Sequence, residues 1–128
     1  MKTFVLFGST GDLASRYVLP ALGTLLTKWV YDHLICVGRR DWNRDDFRNF
    51  LAHYPDLLNH TETISYVQLD IEKGDYGVLK NELNKIGACE WEITYHLCLS
   101  PEYFVMVARG LSSVELNASN ARIMIEKP

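Results

Sequence analysis

Gly8-Ser9-Thr10-Gly11-Asp12-Leu13-Ala14 separates two different hydrophobic periods. Before it, Thr3-Phe4-Val5-Leu6-Phe7 is a short continuous apolar run, the pattern of a strand buried on both faces. After it, Leu13, Ala14, Tyr17, Val18, Ala21, Leu22, Leu25, Leu26 and Trp29 fall on one face of a helical period. A small flexible loop therefore joins a strand to a helix N-terminus, where backbone N–H groups and the positive end of the helix dipole favour an anion. The loop departs from the G-x-G-x-x-G/A dinucleotide fingerprint and offers G-x-x-G-x-x-A instead. In that spacing Gly8 makes the tight turn, Gly11 admits a phosphate close to the backbone, and Ala14 lets helix and strand pack closely. Asp12 is the expected N-cap, a simpler account of it than catalysis. Gly8, Ser9, Thr10, Gly11, Asp12 and Leu13 thus form a candidate pyrophosphate cradle, with an ordinary glycine-bearing turn as the competing account.

Working outward, the first helix carries Pro20 on its polar face, and the apolar register agrees on both sides of it, so a bent helix is expected. His33 to Gly38 is a second strand, followed by Arg39-Arg40-Asp41-Trp42 and a helix presenting Phe47, Phe50, Leu51 and Tyr54 until Pro55 stops it. Ile64 to Leu69 is a third strand closed by Asp70, and a third helix runs from an Asp75 cap through Leu79 and Leu83 to Gly87. Glu90 to Leu99 alternates, with Ile93, Tyr95 and Leu97 on one face and Thr94, His96 and Cys98 on the other. Ser100-Pro101 opens a helix with Phe104, Val107, Ala108 and Leu111 inward, and Arg122 to Glu126 is the fifth strand. Strands alternating with helices predict an α/β fold, a doubly wound, Rossmann-type parallel sheet of order 3-2-1-4-5 with helices on both faces, as one domain over residues 1–128. The strand ends bearing Gly8, Arg39, Asp70, Ser100 and Lys127 then converge on one crevice at the switch point.

An acid after the second strand would hold the ribose hydroxyl of NAD, whereas an arginine accommodates the 2′-phosphate of NADP. Arg39 and Arg40 stand there and favour NADP, their planar donors matching a phosphate. A solvated arginine pair is the alternative, and Asp41 keeps NAD open. Lys127, in Glu126-Lys127-Pro128, would reach the place where nicotinamide and substrate meet, although position alone fits a surface lysine equally well. Its bond to Pro128 is a candidate cis peptide. His96 and Cys98 share a face without a third ligand at metal-like spacing, so a hydrogen-bonded core histidine is expected and no metal site. Tyr76 and Lys80 have the spacing of a reductase tyrosine–lysine pair but lie on the third helix, away from the predicted coenzyme site. No serine has a nucleophile-elbow context, and no catalytic residue is assigned.

Bulk properties narrow the classes. The 128 residues carry a net charge of −3, 48% hydrophobic and 23% charged residues, the composition of a single globular domain. No basic cluster exceeds Arg39-Arg40, which gives nucleic acid binding little electrostatic support. No apolar run approaches membrane-spanning length and no secretory signal opens the chain, so the expectation is a cytoplasmic protein without a membrane partner. Three cysteines without a C-x-x-C pair fit reduced thiols.

Several separated segments together resemble the coenzyme domain of the glucose-6-phosphate dehydrogenase family. GSTGDLASRYVLPAL, from Gly8 to Leu22, resembles its G-A-S-G-D-L-A opening with the following proline and alanine-leucine. Arg39-Arg40-Asp41-Trp42 resembles its arginine segment, Tyr95 to Phe104 its leucine-rich proline pattern, and Arg122 to Pro128 its R-I-I-x-E-K-P strand. The resemblance implies an oxidoreductase of the pentose phosphate pathway, oxidising glucose 6-phosphate with hydride transfer to NADP. It further implies the cradle at Gly8 to Ala14, the 2′-phosphate at Arg39, and Lys127 shared between coenzyme and sugar phosphate. Tyr17 stands where the family often has a lysine, Ser100 replaces the first proline of its pair, and Gly38 stands where alanine is common. The family's base-bearing α+β domain has no counterpart in these residues. The expectation is therefore a coenzyme-binding platform, inactive alone and taking a sugar phosphate only with a catalytic domain supplied. Self-association is a further expectation, and a stand-alone NADP-binding regulatory domain is the alternative.

Overall fold

The computed structural model describes residues 1–11 and 14–125. Five strands, β1 (Lys2–Phe7), β2 (His33–Gly38), β3 (Ile64–Gln68), β4 (Glu92–Leu97) and β5 (Ala121–Ile125), form one sheet in the order β3-β2-β1-β4-β5. Every neighbouring pair is parallel. The helices are α1 (Leu19–Thr27), α2 (Arg44–Leu51), α3 (Pro55–Leu58), α4 (Gly77–Lys85) and α5 (Phe104–Ser113). Fold class and strand order are those the alternation predicts.

The central strand explains the continuous apolar run at the start of the chain. Phe4 and Leu6 point into a core shared with Leu19 and Leu22 of α1 and with Phe47 and Leu51 of α2. Val5 and Phe7 point the opposite way, into a core shared with Leu79 and Leu83 of α4 and with Val107 and Leu111 of α5. A strand covered on both faces favours apolar side chains on both, and its alternation disappears.

The structure refines several boundaries. The first helix begins as a π-helical turn, Ala14–Val18, and becomes α-helical only at Leu19, with Pro20 in the first turn. Pro20 has no N–H for the carbonyl four residues back, and the wider turn accommodates the missing bond. Pro55 does not merely stop α2 but opens α3, where its fixed φ suits the first helical position. Asn43 caps α2 in a reciprocal box with Asp46, accepting from its backbone N–H at 2.8 Å. Asp75 accepts from the Gly77 amide at 2.8 Å just before α4, which starts later than expected. At its far end Gly87, at φ +72°, lets Gly87 N–H and Ala88 N–H reach the carbonyls of Asn84 and Leu83, at 3.0 and 2.8 Å. Ala108 is exposed rather than inward, since the buried stripe of α5 is Val107 and Leu111. β5 lies at the sheet edge with Ile123, Met124 and Ile125 about half exposed.

Several expectations fall on Asp12, Leu13, Glu126, Lys127 and Pro128, which lie outside the described residues: the Asp12 cap, the Leu13 contact, the end of the fifth strand and the Lys127 site with its proline bond. Among the described residues no helix is long and apolar enough to cross a membrane.

The packing of α5 on α4 gives a sign test. A Cβ at Gly110 would run into the ring of Tyr76, which is buried. Helix propensity alone favours alanine over glycine by about 1 kcal/mol. Overpacking opposes it, so Gly110→Ala is expected to lower unfolding stability by about 1–3 kcal/mol in urea titration.

Candidate functional site

At the carboxyl ends of the strands a cleft of about 630 Å³ opens between the loop after β1 and the ends of β2, β3 and β4. Gly8, Thr10 and Gly11 line it from the loop, and Arg39 and Arg40 from the end of β2. Asp70 and Glu72 follow β3, while Ser100 and Tyr103 follow β4. The described strand-end residues singled out from the sequence therefore meet in one place. A second cavity of about 490 Å³ lies between α2 and the outer edge of β3, away from the loop.

Gly8 turns the chain out of β1 at φ +76°, a conformation that a side chain disfavours. A Cβ there would strike the carbonyl oxygen of Cys98, so the loop is pressed against the end of β4. The Gly8 and Ser9 amides both donate to the Val37 carbonyl at 3.2 Å, and the Ser9 hydroxyl donates to the same oxygen at 3.1 Å. Ser9 is fully buried. Its donors fasten the loop to β2 instead of facing the cleft. Gly11 N–H donates to the Gly8 carbonyl at 2.9 Å, closing the turn, and the Gly11 carbonyl receives the Ser15 N–H at 3.1 Å. Among the described residues, the Thr10 amide alone within this loop has no protein acceptor. Of the described loop amides, that of Thr10 is thus the one left for a ligand, beside Gly11.

Beyond β2, the Gly38 carbonyl accepts from Leu69 N–H at 2.8 Å, the Arg39 carbonyl from the Gln68 side-chain amide at 3.3 Å, and the Arg40 carbonyl from the Tyr66 hydroxyl at 2.8 Å. The Arg40 guanidinium lies 5.9 Å from the centre of the Trp42 ring. Asp70 accepts from the amides of Glu72 and Lys73, and these bonds, followed by the nearby Arg39 charge, hold its carboxyl below the usual carboxylate range. Ser100 precedes the 3₁₀ turn Pro101–Tyr103, not an α-helix directly, and its hydroxyl makes no capping bond.

Other sequence candidates lie elsewhere. The Tyr76 hydroxyl donates to the Ile71 carbonyl at 3.0 Å, and burial pushes its pKa up to about 12. The Lys80 ammonium donates to the Val114 carbonyl at 2.8 Å. Both tie the second core together, which removes the reductase pairing. His96 is buried with its ring 5.6 Å from that of Phe4. No group of three metal-ligating side chains occurs among the described residues. Tyr17 is 66% exposed. Sequence reasoning missed Tyr66 and Gln68, whose alternation within β3 gave no sign that they reach the neighbouring strand's end.

Residues 5–128 match the family model described as glucose-6-phosphate dehydrogenase, NAD binding domain. The chain is 31% identical to glucose-6-phosphate 1-dehydrogenase of Helicobacter pylori over 135 aligned positions, and 30% identical to that of Bacillus subtilis over 142. Each alignment covers 97% of this chain but only 31% and 28% of those relatives, so the chain spans about three tenths of their length. In structure it is similar to glucose-6-phosphate 1-dehydrogenase from Mycobacterium avium, with a TM-score of 0.77 at 26% identity, covering 99% of this chain and 29% of that one.

The two loop glycines are expected to separate on substitution. Gly8→Ala combines a positive φ with a backbone collision and is expected to cost about 2–4 kcal/mol. Among the described residues, a Cβ at Gly11 would meet the Gly8 carbonyl oxygen alone, at 3.2 Å. Gly11→Ala should therefore cost less than about 1 kcal/mol in the same urea titration, and equal losses would contradict the assigned geometry.

Proposed function

Because the chain belongs to the glucose-6-phosphate dehydrogenase family, matching its NAD-binding domain, we propose that it is the NADP-binding platform of an enzyme that oxidises D-glucose 6-phosphate to the 6-phosphoglucono-lactone. The observation that carries the coenzyme reading is the shared cleft: Thr10 and Gly11 on one side, Arg39 and Arg40 on another. The pyrophosphate would lie over the Thr10 amide and Gly11. Arg39 would take the 2′-phosphate, with Arg40 over the Trp42 ring beside it. Ser100 would hold the coenzyme from the β4 side, and Lys127 would stand between coenzyme and sugar phosphate. Nicotinamide, once bound, supplies the hydride acceptor.

The chain's own part is to bind and orient. Hydride transfer also needs a base within hydrogen-bond reach of the sugar hydroxyl. Among the described residues no histidine lines the cleft, and Asp70 is engaged by two amides that lower its basicity. The platform is accordingly read as binding NADP without turning over glucose 6-phosphate by itself. The same reading places it in the cytoplasm, in keeping with the thiols of Cys36 and Cys89. Self-association belongs to the proposal as well, supported by the exposed Ile123, Met124 and Ile125. It is checked by sizing chromatography across a concentration series.

Titrating NADP and NAD by calorimetry tests the coenzyme reading. Arg39→Ala is expected to weaken NADP by about 10–100-fold, the worth of a charged phosphate contact, and to leave NAD within about twofold. Equal affinity for the two coenzymes, unchanged by Arg39→Ala, would overturn it.

A further inference from the structure

Tyr66 sits behind the cleft and not in it: its ring lines the separate cavity between α2 and β3. The ring is wedged between Trp42 and Phe47, with centroids 5.2 and 5.3 Å away. From that position its hydroxyl donates to the Arg40 carbonyl, which also receives the Trp42 N–H at 3.0 Å. Trp42 in turn carries the Arg40 guanidinium on its face. Tyr66 therefore touches Arg40 twice, directly at the backbone and through Trp42 at the side chain. The space for its hydroxyl is made by Gly38, where a Cβ would stand 2.9 Å from the phenol oxygen. Burial raises the phenol pKa, so the hydroxyl remains a donor at neutral pH.

We propose that Tyr66 is a positioning residue for coenzyme discrimination, fixing the Arg39–Arg40 segment so that its guanidinium groups meet the 2′-phosphate already aimed. The proposal rests on the reading that this arginine pair takes that phosphate. Arginine loses much rotamer freedom when it binds, and a backbone held at consecutive carbonyls with one guanidinium already resting over an aromatic ring reduces what remains to be ordered. A residue that touches no part of the coenzyme then influences which coenzyme is chosen. The influence is confined to the 2′ position, because the loop at Gly8 to Gly11 is fastened independently to Val37.

The test compares wild type, Tyr66→Phe, Arg39→Ala and Arg40→Ala with four probes: NADP, NAD, adenosine 2′,5′-bisphosphate and adenosine 5′-monophosphate. Tyr66→Phe keeps the ring and removes only the donor. It is expected to weaken NADP and the bisphosphate about three- to tenfold, the worth of one hydrogen bond, and to leave NAD and the monophosphate within about twofold. Parallel losses on all four probes, or none with Tyr66→Phe, would overturn the positioning role. If neither arginine variant changes the preference between NADP and NAD, the 2′-phosphate reading itself fails. If the arginine variants abolish that preference and Tyr66→Phe retains it, only the role of Tyr66 fails.

Discussion

The carbonyl of Val37 receives the amides of Gly8 and Ser9 and the hydroxyl of Ser9, all at 3.1–3.2 Å. That convergence decides what the loop can do. It draws the chain leaving β1 across the end of β2, while the collision a side chain would meet at Cys98 closes the other side. The first two amides of the loop are thereby used for anchorage, and a ligand must be gripped further along, from Thr10 onward. A glycine-rich loop has many backbone conformations available to it, and most of them hold nothing. Fastening it at one oxygen selects one conformation before any ligand arrives, so less ordering has to accompany binding.

The same strand end sets the second grip. Val37 holds the loop, Gly38 leaves room for both Thr10 and Tyr66, and Arg39 and Arg40 come next. The separation between the loop and the arginines is thus governed by a few consecutive residues of one chain segment rather than by the packing of distant elements. Covalent geometry tolerates less variation than side-chain packing. If the two sites span a single extended molecule, as proposed, that rigidity serves them, because an error in their separation would be felt at both ends.

Much of this architecture was legible in the sequence because its signals are local. An unbroken apolar run at Phe4 to Phe7 means a strand buried on both faces, and a change of period at the loop means a strand followed by a helix. Strand order followed from the alternation and the parallel-sheet rules. The less legible parts depend on what lies across space. Ser9 looks like any loop serine, and only the structure shows its hydroxyl turned inward to Val37. Tyr66 and Gln68 follow the alternation of an ordinary strand, and nothing along the chain shows that they reach the carbonyls of Arg40 and Arg39. Pro20 and Pro55 were read as interruptions, yet each stands near the start of a helical segment, where its fixed φ is an advantage. The Asn43–Asp46 capping box was present in the sequence as N-x-x-D, a pattern weaker than its serine–glutamate counterpart.

The electrostatics of the cleft depend on a similar division of partners. Acidic side chains at its mouth would ordinarily repel a phosphate or neutralise the arginines beside it. Asp70 is instead turned onto the amides of Glu72 and Lys73, and among the described residues no carboxylate stands within ion-pair distance of the Arg39 guanidinium. Arg39 still feels Asp70 through space, enough to favour the ionised carboxyl, without being bound by it. A phosphate entering there would not have to displace an existing salt bridge, and the cost of breaking one would not be subtracted from its affinity. The carboxylate is near enough to be favoured by the guanidinium's charge, and turned far enough onto its own amides to leave the guanidinium's donors open.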